Sequence, residues 1–121
     1  MTQEQQEKHF EALTSEMKGI LLKKGGDYAT SADKLSNFKL AGTICGLTAE
    51  QNCLSLIATK VARLGVLLAD TTKKPNNESI QDSILDLANY SVLLHMLVDE
   101  RKQEVCCGNW DDNGVCKCNI A

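Results

Sequence analysis

With 121 residues the chain is long enough for one compact domain and too short for two ordinary ones. Its 43% apolar and 24% charged content is ordinary globular usage, which excludes wholesale disorder and collagen-like structure. A net charge of −3 argues against a duplex-binding surface, and an aromatic content of 4% leaves few platforms for stacking single-stranded nucleic acid.

Residues 3–24 place Phe10, Leu13, Met17, Ile20 and Leu21 at steps of three and four, the period of an amphipathic helix with one buried face. Gly25 and Gly26 are expected to end it, with Lys23 and Lys24 complementing the negative end of its dipole. Residues 27–47 are rich in small and polar side chains and read as loop, with a short helical piece over 33–40. Thr48, followed three residues later by Gln51, has the form of a capping box and opens a second long helix over 49–69. The run Lys73-Lys74-Pro75-Asn76-Asn77 breaks the chain before a third long helix over 78–103. Its segment ILDLANYSVLLHMLV, residues 84–98, is apolar nearly all the way around, which marks the central helix of a bundle. Asn113-Gly114 is a type I′ hairpin signal.

The predicted architecture is all-α: three main helices plus a short one over residues 1–104, then a small Cys-rich hairpin or tail over 105–121. Covering the third helix on all sides takes more neighbours than two helices supply, so a homo-oligomer is expected. No stretch reads as the roughly 20 apolar residues of a membrane span. The start, MTQEQQEKHF, lacks the basic flank and apolar core of a secretory signal. A cytoplasmic protein without membrane contact is therefore expected, its six Cys remaining thiols or binding metal.

Three constellations carry candidate chemistry. At about 100° per residue, Glu78, Asp82, Asp86 and Asn89 fall at about 0, 40, 80 and 20° on the third helix, so three acids share one stripe. Glu78 and Asp82 also suit the positive end of a helix dipole, whereas Asp86 and Asn89 sit in the apolar part and need partners. Lys60 and Arg63, three apart on the second helix, are the natural ones. They would form a register-fixing ion pair, or reach a phosphate while the acids orient them. The third constellation is KGGDYATSADKLSNFK, residues 24–39, where Asp27, Tyr28, Asp33, Asn37 and Phe38 crowd an irregular stretch. Asx-turns and helix caps account for its acids and Asn; a ligand site would use Asp or Asn on polar edges and Tyr or Phe over a ring. His9 and His95 form no metal-ligand spacing. In the hairpin register Cys107, Cys116 and Cys118 share a face and Cys106 does not; three thiols are the beginning of a zinc site, without a C-x-x-C pair or a clear fourth ligand. Cys45 and Cys53 read as core or near-core thiols.

KGGDY, NFK, KVARL at residues 60–64 and NESIQDSILDLANYSVLL together resemble the nucleotide modification associated domain family of phages and bacteria, over residues 24–94. The third helix is also distantly similar to the acidic helix of MazG-type and dimeric dUTPase-type all-α nucleoside triphosphate pyrophosphohydrolases. That second likeness implies magnesium on Glu78, Asp82 and Asp86, although their spacing is four and four instead of three, and Lys60 and Arg63 stand where facing acids are expected. The cationic pair beside oriented carboxylates suits a site that holds a phosphorylated ligand without splitting it, with no cofactor needed for binding, and the first resemblance implies a phage-type protein that sequesters a nucleotide or nucleotide-derived signal, as an anti-defence protein would. A magnesium-dependent pyrophosphohydrolase and an oligomeric interaction module are the competing classes.

Overall fold

Two reciprocal capping boxes start two of the helices. Thr2 Oγ1 accepts the Gln5 N–H while Gln5 Oε1 accepts the Thr2 N–H, and Thr48 and Gln51 repeat the arrangement. The computed structural model describes residues 1–30, 32–70, 72, 74–75, 78–105 and 112–113, the side chains of 28, 104 and 105 excepted. Within them lie four helices, α1 (Gln3–Tyr28), α2 (Ser36–Cys45), α3 (Ala49–Ala69) and α4 (Ile80–Val105), and the fold is all-α.

α3 and α4 form an antiparallel pair: Cys53 Sγ meets the Tyr90 carbonyl, Lys60 meets Asp86, and Arg63 meets Ser83. α1 packs on α4 and α2 on α3. Leu35, Phe38, Cys53 and Leu97 form the buried centre, with Leu56, Ile57, Tyr90, Leu93 and Leu94 against it. Burial holds the Cys53 thiol up at about 11, so it behaves as a small apolar side chain.

Several expectations are corrected. α1 runs through Gly25 and Gly26 to Tyr28, both glycines staying right-handed, because glycine permits a helix end without requiring one. Lys24 therefore serves not the helix end but an ion pair with Asp86. α2 spans Ser36–Cys45 rather than 33–40, since Asp33 Oδ1 accepts the Leu35 N–H and keeps the preceding turn outside the helix. α4 begins at Ile80, because Ser79 Oγ accepts the Asp82 N–H, leaving Glu78 ahead of the helix. Phe10 is 66% exposed on α1, whose packing among the described residues is chiefly on α4. Cys45 is exposed, on the outer side of α2. α4 is not enclosed: Ile84, Val92, Met96 and Val98 retain substantial exposure. By length and composition α3 does suffice to cross a membrane, contrary to expectation; here Leu64 and Leu67 are buried and Cys53 Sγ meets the Tyr90 carbonyl of α4. The hairpin and Cys106, Cys107, Cys116 and Cys118 lie outside the described residues.

Two glycines shape the α2–α3 turn. Gly46 caps α2 at φ 71°, the left-handed region, and its N–H reaches back to the Gly42 and Thr43 carbonyls. A Cβ on Gly42 would stand 2.8 Å from the Leu47 carbonyl oxygen. Gly42→Ala is accordingly expected to cost about 1–3 kcal/mol, the range for overpacking. Gly19→Ala, which meets nothing within 4 Å, should instead gain about 0.5–1 kcal/mol; urea unfolding of the two variants checks the opposite signs.

Candidate functional site

Between α1, the 29–35 connection, α2 and α4 lies a cavity of about 740 Å³. Its apolar walls come from Ile20, Leu21, Leu56 and Leu93. Its polar groups belong to Lys24, Asp33, Lys34, Asn37, Asp86, Asn89, Tyr90 and Glu100. A mostly apolar hollow with a few convergent polar groups is the usual form of a small-molecule site.

The helices fix those groups in different ways. Asn89 is buried, and its Nδ2 donates to the Met17 carbonyl at 3.1 Å, pinning α1 to α4. Asp33 is held by the Leu35 N–H and by Lys39 Nζ at 2.7 Å, and Lys39 continues to Glu100 on α4. The hydrogen bond from Lys39 first, then that from the Leu35 N–H, keeps the Asp33 carboxyl below its ordinary range, while Asp33 and then Glu100 raise Lys39. Asp86 receives Lys24 Nζ on Oδ1 at 2.9 Å and Lys60 Nζ on Oδ2 at 3.1 Å. Burial pushes Asp86 upward, but the two ammonium groups outweigh it and leave the carboxyl below its usual range. The hydrogen bond to Asp86 likewise raises Lys24.

Lys60 continues the network away from the cavity. It donates to both Glu78 carboxylate oxygens, at 2.9 and 3.1 Å, and although burial opposes its charge, Glu78 and Asp86 together raise it. Ser83, fully buried, donates to Glu78 Oε1 at 2.5 Å and accepts from Arg63 Nε at 3.0 Å, while Arg63 Nη2 donates to the Glu78 carbonyl. The Ser83 hydrogen bond, then Lys60, holds Glu78 below its ordinary range.

Of the sequence candidates, Asp33, Asn37, Phe38, Asp86 and Asn89 line the cavity. Phe38 does so as a core residue, 5% exposed, rather than as an open ring. Lys60 and Arg63 are not on the lining; their donors go to Glu78, Ser83 and, for Lys60, Asp86. Asp27 and Asp82 are exposed outside it. Tyr28 ends α1, with its side chain outside the described residues. Glu78 and Asp86 meet at Lys60 while Asp82 is exposed, so the three acids do not gather, and among the described residues no three His, Cys, Asp or Glu side chains form a metal-holding group. Sequence reasoning missed Lys24, Lys34 and Tyr90. Tyr90 carried a signal, standing four residues after Asp86 on the same helix face; Lys24, 62 residues from Asp86, carried none.

The network makes the fold acid-sensitive in a defined way. Asp86 and Glu78 titrate lower in the fold than in the unfolded chain, where they sit near about 3.9 and 4.3. Their stabilisation is thus complete above about pH 4.3 and is lost as pH falls through the folded values. Asp86→Asn is expected to cost about 3 kcal/mol at neutral pH by leaving Lys24 and Lys60 without their shared carboxylate. It should also flatten the acid limb of the stability profile, as measured by urea unfolding at a series of pH values.

Comparison with protein-family models, with characterised proteins and with solved structures finds no match to this chain.

Proposed function

We propose that the chain binds a small molecule of the nucleotide class in the α1–α2–α4 cavity and holds it without splitting it. One observation carries the reading: a single hollow of about 740 Å³ combines apolar walls, the Asn37 amide, the Tyr90 ring and two lysines, Lys24 and Lys34. The volume falls within the range of small-molecule sites. Lysines suit phosphate, a carboxylate such as Asp33 suits ribose hydroxyls, and amide and aromatic groups suit a base. The likeness of residues 24–94 to the nucleotide modification associated domain family supports the same ligand class.

Holding is favoured over hydrolysis by the state of the carboxylates. Asp86 is engaged by Lys24 and Lys60, Glu78 by Lys60, and Asp33 and Glu100 by Lys39. A magnesium site of the pyrophosphohydrolase kind needs convergent carboxylate oxygens together with substrate phosphates, and these four acids are instead engaged by three lysines. Sequestration of a nucleotide-derived signal, the role suggested by the likeness to phage proteins, fits a binder of this form.

The test is to incubate the protein with a broad nucleotide pool and magnesium, recover and denature it, and identify both the retained ligand and the solution products by mass spectrometry. An intact nucleotide at about one per chain with no new products is expected. Lys34→Ala should weaken retention about tenfold, as for loss of one charge-assisted hydrogen bond. New monophosphate and pyrophosphate would replace this reading with the pyrophosphohydrolase, and no retained nucleotide would leave the interaction module.

A further inference from the structure

The polar groups that line the cavity divide into those already engaged and those left over. Asp86 takes Lys24 and Lys60, Lys60 also takes Glu78, and Lys39 bridges Asp33 and Glu100. The Asn89 amide donates to the Met17 carbonyl. Lys34, Asn37 and Tyr90 line the same hollow, and among the described residues their side chains hold no hydrogen bond or ion pair. Asn37 and Tyr90 are half-buried and Lys34 is exposed. Burial, then Asp86 one turn away on α4, holds the Tyr90 phenol above its ordinary range, so the hydroxyl meets a ligand uncharged. The charges of the site nearly cancel. Lys24, Lys39 and Lys60 stand against Asp33, Glu78, Asp86 and Glu100, an excess of one negative charge that Lys34 offsets. Arg63, engaged with Ser83 and the Glu78 carbonyl away from the lining, leaves at most one positive charge over. Asp86 and Glu100 are fourteen residues apart on α4, about 21 Å along the helix, so a carboxylate stands toward each end of that wall, with Leu93 and Met96 between them.

We infer that the nucleotide-class ligand proposed above, a reading on which this inference rests, carries a single negative charge, as in a phosphodiester, and that the cavity discriminates against nucleoside triphosphates. Lys34 is the one ammonium on the lining without a carboxylate partner among the described residues, and it meets the one anionic group. The Asn37 carboxamide, which both donates and accepts, and the Tyr90 hydroxyl read the uncharged part of the ligand. A triphosphate laid along the α4 wall meets aliphatic surface at Leu93 and Met96 and a carboxylate toward either end. To bind it, Lys24 or Lys39 must leave its own carboxylate, and a half-buried charge separated from its partner is costly. A phosphodiester asks for no such exchange, since the free ammonium alone balances it.

Equilibrium dialysis of the full chain against matched sets of nucleoside, cyclic monophosphate and triphosphate, one set for each common base, measures the preference. In the set that binds, the cyclic monophosphate should hold about tenfold tighter than either the nucleoside or the triphosphate. Lys34→Ala should bring the cyclic monophosphate down to the nucleoside, and Glu100→Gln, which takes a negative charge from the wall, should narrow the gap to the triphosphate, both with an unchanged helical circular dichroism spectrum. Asn37→Ala should weaken all three members of the set alike. A triphosphate held as tightly as the cyclic monophosphate, or a Lys34→Ala chain that keeps the full preference for the cyclic monophosphate over the nucleoside, would overturn the inference and leave the nucleotide reading standing. Binding of no set would overturn that reading and the inference with it.

Discussion

One carboxylate, Asp86, is shared by ammonium groups from two other helices, and the arrangement of the bundle depends on it. Lys24 comes from α1 and Lys60 from α3, while Asp86 sits on α4 with its side chain 13% exposed and that of Lys60 17% exposed. Withdrawing such groups from water is costly, so the triad adds less stability than its Coulomb attraction suggests. What it supplies is register. Sliding α4 by one turn, about 5.4 Å, would take Asp86 out of reach of both lysines and leave charges half-buried and unpaired. Ser83, fully buried between Arg63 and Glu78, fixes the same pair of helices about one turn further along.

The main architecture was legible because it rests on local signals. Thr48 and Gln51 gave the start of α3 to the residue, since a capping box is completed within one turn. The demand of Asp86 for a cationic partner, and Lys60 as that partner, followed from the cost of burying a carboxylate in an apolar stretch. The errors arose where a residue had two permitted conformations or a distant partner. Gly25 and Gly26 allow both a stop and a continuation, and the helix continued. Glu78 fell on the acidic stripe only if the helix began with it, and the Ser79 cap placed it one step outside. Lys24, Lys34 and Tyr90 reached the cavity through tertiary packing, and for Lys24 nothing in its neighbourhood marked that role.

The two sides of the α3–α4 pair are chemically opposite. On one side α3 directs Lys60 and Arg63, and α4 directs Asp86, Asn89 and Tyr90, into a network that borders a hollow. On the other side α3 presents the exposed Leu54, Ala58, Val61, Gly65 and Leu68. A single helix long and apolar enough by composition to span a bilayer thus acquires, through the placement of two cations on one flank, a polar side and a dry side.

α1 occupies a distinctive position in this arrangement. Among its described residues none is buried, and its named ties to α4 are polar: the Met17 carbonyl to Asn89 and Lys24 to Asp86. Elements with few buried apolar contacts open at low free energy, independently of global unfolding. Ile20, Leu21 and Leu22 nevertheless form one wall of the cavity, so a molecule lodged there gives α1 further apolar contacts. Occupancy and the seating of α1 are then thermodynamically linked, each strengthening the other by the same amount. The affinity observed for any occupant is the intrinsic one reduced by the fraction of chains whose α1 is seated.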